Sequence, residues 1–342
     1  MKQDPMCPCF QPAAFAATTW TDTTSTSSQQ LGIYFASHGG IQELRSAVIG
    51  GAIEDWTQST LVVLPGATVT EDSPIACTSV GGLIHVFFCD TEQTLRGMIY
   101  DAQAKSWGLG SLQVKLDSLK PQLQAVAWLG QDKHLCQSVF FTRVDGNISE
   151  VTKRHTSEWE IRPAVNALGQ SPFWANVNVE NDTVTKQLFY RSGPRQLDEA
   201  TCKSDFSSLT DQSPPWTSRQ VTAYAPVDES EVLGITGTPL PSNSSSPPTG
   251  KLILNLSSTR SVCEYSIPAN SVQGWGGTVK VPYAQATPGS SMQAITVTGE
   301  NDQDSHVHLF YLSEDDGKLV TTNWDMANGW RTFITVVAVY KE

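Results

Sequence analysis

The sequence is short of charge. Lys, Arg, Asp and Glu make up 16% of its 342 residues, against about a quarter in an ordinary soluble chain. Cations are the scarcer sign: 22 Lys and Arg face 34 Asp and Glu, a formal net charge of −12. A phosphate-binding surface needs clustered cations, so nucleic acid is excluded as a partner. The same balance argues against an anionic membrane surface. No apolar run approaches the ~20 residues of a spanning helix. The first ten residues, MKQDPMCPCF, contain no apolar stretch of the kind a secretory signal requires. Cysteine is sparse and odd in number, seven in all, at positions 7, 9, 77, 89, 136, 202 and 263. A secreted disulfide framework is even and denser, so the expectation is reduced thiols in a cytoplasmic protein. Asn147, Asn181, Asn243 and Asn255 head N-x-S/T sequons, which chance explains in a chain so rich in Ser and Thr.

Catalytic signatures are missing as well. There is no G-x-S-x-G, no H-E-x-x-H, no Walker loop and no G-x-G-x-x-G. His306 and His308 would share a strand face, but no third ligand stands at a supporting spacing. Cys7 and Cys9 fall in a segment read as a flexible tail over residues 1–12. The acidic run Glu314, Asp315 and Asp316 before Gly317 reads as a turn, because the rest of a calcium loop is missing. No metal and no cofactor is expected.

Helical periodicity is nearly absent too, and what replaces it is a repeat. Short β-branched and aromatic runs alternate with Gly, Ser, Asn and Asp turns, which reads as all-β. One strand signature recurs: Ile33-Tyr34-Phe35, Val86-Phe87-Phe88, Val139-Phe140-Phe141, Leu188-Phe189-Tyr190, Leu254-Asn255-Leu256 and Leu309-Phe310-Tyr311. Their first residues are 53, 53, 49, 66 and 55 apart. After each come a polar turn, a second strand and a tryptophan: Trp56, Trp107, Trp159, Trp216, Trp275 and Trp330. A further short strand precedes each signature, as at Phe15–Trp20 and Leu123–Trp128. Such a unit is one propeller blade, and stacking six in a ring buries the sheet faces that each blade alone leaves bare. Residues 13–342 are therefore expected to form a single six-bladed β-propeller. Its long fourth interval is taken up by a Ser/Pro-rich loop at about 239–250. The C-terminal run Thr332–Tyr340 is a candidate to close the ring onto the first blade.

On these repeats the chain resembles the fungal fucose-specific lectin family, six-bladed propellers, over essentially residues 13–342. A family blade reads as a small-apolar strand ending in Trp, then Arg-Val-Tyr-Tyr, a turn, an apolar-x-Glu strand and a Trp. The resemblance implies sugar sites between neighbouring blades, where Arg and Glu bind hydroxyls and an aromatic ring stacks. The glutamate recurs as Glu43, Glu150, Glu199 and Glu264, with Gly97 and Val320 in the other two blades. The arginine position holds Gly32, His85, Ser138, Gln187, Ile253 and His308. No blade keeps the arginine–glutamate pair, and each lost buried hydrogen bond costs about 1–3 kcal/mol. With its sugar sites degenerate, the chain also resembles, in pattern alone, the lectin-like fungal hetero-Diels–Alder cyclases of secondary metabolism. They join a tropolone o-quinone methide to a humulene-type sesquiterpene.

The leading expectation is thus a pericyclase of meroterpenoid biosynthesis, which needs its partners held in a near-attack pose and a donor at one oxygen. The alternative is a carbohydrate-binding lectin with altered sites. A scaffold or protein-interaction propeller is the third reading. The expected partner is a hydrophobic small molecule or a sugar, with a homodimer as the candidate assembly. His85 and His308, at former arginine positions, are the catalytic candidates. Tyr100 and Trp324 are the stacking candidates, expected beside those histidines. Trp20, Trp128 and Trp174, on inner strands, are candidates to wall an axial cavity. Glu43, Glu150, Glu199 and Glu264 remain as degenerate sugar-site positions. The bland reading of each is a strand histidine, a packing aromatic or a turn-capping carboxylate.

Overall fold

The computed structural model describes residues 14–21, 29–37, 40–49, 52–62, 68–118, 120–130, 133–154, 158–168, 172–180, 182–193, 196–205, 215–220, 232–239, 251–257, 261–267, 279–287, 291–297, 305–315, 318–325, 329–330 and 335–336. The expected tail at 1–12, Trp275, and all of the Ser/Pro loop beyond Pro239 lie outside them.

Among the described residues, six antiparallel sheets account for every strand. Blade 1 contains β1 (Phe15–Thr21), β2 (Gln29–Ser37) and β3 (Gly40–Ile49), with β4 (Ala52–Ile53) and β5 (Thr57–Val62) both paired to β3. Blade 2 runs β6 (Ile75–Val80), β7 (Leu83–Cys89), β8 (Thr94–Asp101) and β9 (Ser106–Lys115). Blade 3 is β10 (Leu123–Leu129), β11 (Leu135–Thr142), β12 (Ile148–Arg154) and β13 (Glu160–Val165). Blade 4 is β14 (Phe173–Glu180), β15 (Thr183–Gly193), β16 (Gln196–Asp205) and β17 (Thr217–Gln220). Blade 5 is β18 (Val232–Pro239), β19 (Lys251–Ser257), β20 (Ser261–Ile267) and β21 (Val279–Gln285). Blade 6 is β22 (Met292–Val297), β23 (His306–Leu312), β24 (Leu319–Asp325), β25 (Gly329–Trp330) and β26 (Thr335–Val336).

The innermost strands β1, β6, β10, β14, β18 and β22 touch one another in cyclic order, and β22 touches β1. The chain is thus an all-β propeller whose ring closes by packing. The C-terminal segment pairs Val320 with Val336 on β24, inside its own blade. The rest of the run expected to close the ring, Thr332–Tyr340, lies outside the described residues.

The second strand of a blade is buried on both faces, which is why it reads as a continuous apolar run. Alternate residues then serve different neighbours. Ile84, Val86 and Phe88 join the cluster shared with blade 1. Phe87 and Cys89 join the cluster shared with blade 3. Six such apolar clusters fill the six inter-blade spaces. Five blade-end tryptophans, Trp56, Trp107, Trp159, Trp216 and Trp330, belong to them. Trp107 meets Tyr34 at 5.8 Å and 80°, Trp159 meets Phe87 at 6.2 Å and 82°, and Trp216 meets Phe140 at 5.8 Å and 80°. Edge-to-face pairs of this kind add about 0.5–1.5 kcal/mol beyond the area they bury.

Candidate functional site

Strand pairing decides which side chains enter a given cleft. Tyr34 lies opposite Glu43 and Gly32 opposite Arg45, so all four positions face blade 2. In blade 5 the residue opposite Glu264 is Leu254, which puts Leu252, not Ile253, at the former arginine position. In blade 6 Phe310 lies opposite Thr321, so Thr321, not Val320, stands at the glutamate position. Both corrections are one-residue slips, and a slip of one turns a strand's side chains to the opposite face.

The cleft between blades 1 and 2 contains an arginine–glutamate pair after all. Arg45 Nη2 donates to Glu43 Oε1 at 2.9 Å and Oε2 at 3.1 Å, and Nη1 donates to the Tyr100 hydroxyl at 3.3 Å. The Tyr34 hydroxyl donates to Glu43 Oε1 at 2.8 Å. The guanidinium lies over the rings of Trp20 at 5.0 Å and Tyr100 at 4.8 Å. Gly32 makes room for this cluster: a Cβ there would stand 2.8 Å from the Tyr34 hydroxyl and 2.9 Å from the Trp20 ring. Burial, and then the Glu43 charge, hold the Tyr34 phenol well above its ordinary range.

A second pair stands between blades 4 and 5. Glu199 is buried, and Arg219, from the fourth strand, donates to its Oε2 from Nε at 2.7 Å. Gln187 Nε2 donates to Oε1 at 2.9 Å. Arg219 keeps 72% of its side chain exposed, while Arg45 keeps 26%. Between blades 3 and 4 the cation is Lys186, paired with Glu150 and reached by the Ser138 hydroxyl, with both charged side chains 1–2% exposed. Between blades 5 and 6, Trp330 Nε1 donates to Glu264 Oε2 at 2.6 Å, and burial raises the Glu264 carboxyl despite that bond. Position-by-position reading missed the two arginines because each comes from a different strand than in the family pattern.

The cleft between blades 2 and 3 is open instead. A pocket of about 360 Å³ is lined from blade 2 by His85, Phe87, Gly97 and Leu112, and from blade 3 by Leu135, Gln137, Lys153 and Trp159. A β-bulge at Gly97 brings β8 and β9 close together: a Cβ on Gly110 would lie 2.9 Å from the Gly97 carbonyl oxygen. Two side chains are thereby removed from the wall. His85 is 1% exposed, its Nε2 has no hydrogen-bond partner, and its ring stacks on Phe87 at 6.3 Å. Burial pushes its pKa down to about 4, so it is neutral at physiological pH. Gln137 Nε2 is also buried without a partner.

The expected groupings of site residues do not form. Tyr100 packs toward blade 1 and His85 toward blade 3, because they lie on opposite faces of one sheet. Trp324 joins the cluster with blade 5, while His308 stacks on Phe310, which faces blade 1. Trp20, Trp128 and Trp174 sit in three different inter-blade clusters and do not wall the axis. The axial opening of about 410 Å³ is lined by the beginnings of the inner strands, including Ile75, Leu123, Phe173, Ile235 and Met292.

No known protein-family model matches the chain, and no curated protein matches it in sequence. Solved structures do. A mutant of AofleA from Arthrobotrys oligospora superposes with a TM-score of 0.73 at 16% identity, over 97% of this chain and 88% of that one. Aleuria aurantia lectin, described as a six-bladed β-propeller with a novel fucose recognition mode, superposes with a TM-score of 0.70 at 17% identity, over 95% of each chain. The fold is that of the fucose-specific lectins. A mutant of Aleuria aurantia lectin in complex with α-methyl-L-fucoside matches with a TM-score of 0.69 at 16% identity, over 95% of each chain.

Proposed function

We propose that this lectin-like propeller binds carbohydrate at rebuilt inter-blade sites. The observation that carries the reading is the return of an arginine–glutamate pair at two clefts, Arg45 with Glu43 and Arg219 with Glu199. A guanidinium offers a rigid fork of donors, and a fixed carboxylate accepts from hydroxyl groups. The Arg219 cleft is the working one, since its arginine is open to solvent while Arg45 is held between Trp20 and Tyr100. The likeness to propellers that bind fucosides supports a sugar as the small-molecule partner. Calorimetry with L-fucose and other neutral monosaccharides tests the reading. Saturable binding that Arg219→Ala and Glu199→Gln each remove is the expected result. Absence of binding by any monosaccharide sinks it.

One observation favours the cyclase as a second reading. The pocket between blades 2 and 3 has apolar walls and a buried, neutral His85 able to donate to a substrate oxygen without adding charge. Turnover of a tropolone quinone-methide precursor with a humulene partner, unchanged in His85→Ala and His308→Ala, would remove both histidines from the mechanism.

A further inference from the structure

We propose that the pocket between blades 2 and 3 binds a flat organic anion, an aromatic ring carrying one acidic oxygen group. Lys153 and Gln137 hold the oxygen, and Phe87 and Trp159 bound the ring. The inference concerns a different cleft from the carbohydrate site and does not depend on it.

Three features of the wall converge. The first is charge. In a chain of net charge −12, the residues lining this pocket include the cation Lys153 but no Asp or Glu. Lys153 Nζ donates to Ser111 Oγ at 3.0 Å and lies 5.9 Å from the centre of the Trp159 ring. Among the described residues no carboxylate pairs with it. The second is unmet hydrogen bonding. Gln137 lies directly opposite Lys153 in the β11–β12 pairing, so its partnerless Nε2 and the Lys153 side chain belong to the same wall. His85 Nε2, across the cleft, is likewise buried and unpartnered. Buried polar groups left this way cost about 1–3 kcal/mol each, and a ligand oxygen among them recovers that loss.

The third is shape. Gly97 and Gly110 hollow out the blade 2 wall where neighbouring blades carry a glutamate. Phe87, Leu112, Leu135 and Trp159 supply the apolar surfaces against which a ring would lie. A sugar suits this pocket poorly. Its many hydroxyl hydrogens need acceptors, and the carboxylate that serves them elsewhere in the ring is replaced here by Gly97. A planar anion needs donors at one end and apolar contact along the rest, which is what the wall offers.

The test uses the full chain with 1-naphthoate and its neutral counterpart 1-naphthalenemethanol, followed by tryptophan fluorescence and calorimetry. Wild type should bind naphthoate saturably and roughly tenfold more tightly than the alcohol, as a charge-assisted hydrogen bond requires. Lys153→Met should abolish that preference while retaining the alcohol's affinity, and Lys153→Arg should keep most of it. Gln137→Leu should weaken naphthoate and leave the alcohol unchanged. Equal affinity for the two probes in wild type overturns the proposal, as does saturable binding of neither. L-fucose in the same series separates the two readings: sugar binding without naphthoate binding refutes only this one, and the converse refutes only the lectin.

Discussion

Trp56 of the first blade stands edge-on to Phe310 of the sixth, with ring centroids 6.2 Å apart and planes at 84°. It is the same pairing that joins blades 1 and 2, 2 and 3, and 3 and 4. Among the described residues no strand of blade 1 pairs with one of blade 6, and apolar packing of this kind joins the two.

Trp56→Ala should therefore weaken the whole fold, because the ring opens where no backbone ladder crosses it among the described residues. The expected loss is about 3 kcal/mol, combining lost burial with the lost aromatic pair. Trp56→Phe should recover part of it. Urea denaturation reads both, and an unchanged midpoint for Trp56→Ala would show that closure rests elsewhere.

The buried Lys186–Glu150 pair offers a contrast between breaking and replacing an ion pair. Lys186→Met leaves a carboxylate in the blade 3–4 core and should cost about 3–5 kcal/mol. The double variant Lys186→Met, Glu150→Leu removes both charges and should regain most of that. A double variant as unstable as the single one contradicts the buried-charge account.

His85 should make stability depend on pH. Its pKa is near 4 in the folded chain and near 6.5 unfolded. As pH falls below 6.5 the unfolded chain takes up a proton that the folded chain refuses, so stability drops until pH reaches about 4. At 1.36 kcal/mol per pKa unit, the full loss is roughly 3 kcal/mol. Thermal melts from pH 7 to 4 should show a smaller fall for His85→Gln than for wild type; parallel curves would contradict it.

The thiols should be reduced but slow to react. Burial, helped by the Asp90 charge, pushes the Cys89 thiol up to about 11, and burial also raises Cys77 and Cys202. A thiolate is the reacting form. In the native state a disulfide reagent at pH 8 should label Cys77, Cys89 and Cys202 far more slowly than in the unfolded chain. Unfolding without reductant should expose all seven cysteines, and a lower total would reveal disulfides.

Much of the architecture was readable from the chain itself. Doubly buried second strands favour apolar residues, so IYF, VFF and LFY mark five blades without any coordinates, and Leu254-Asn255-Leu256 marks the sixth. The turns were equally local. Gly81 and Gly82, both at positive φ, make the two-residue hairpin between β6 and β7 that adjacent glycines announce. The glutamates were found for the same reason, since their position on the third strand repeats with the blade.

The site was less readable, because a cleft draws its side chains from two blades and from several strands of each. Arg45 reaches Glu43 from two residues away on the same strand, and Arg219 reaches Glu199 from the neighbouring one. A pattern tied to one position per blade passes over both. Tyr100 and His85 are close in sequence, yet strand alternation sends them to different neighbours. The sequence by itself determined the propeller, its blade count and its repeated aromatic packing, all consequences of period-two burial. Only the tertiary structure decided which clefts are filled by the protein's own cations and which is open. That outcome turns on register, a bulge at Gly97 and the approach of a second blade, and no local stretch of chain encodes all three.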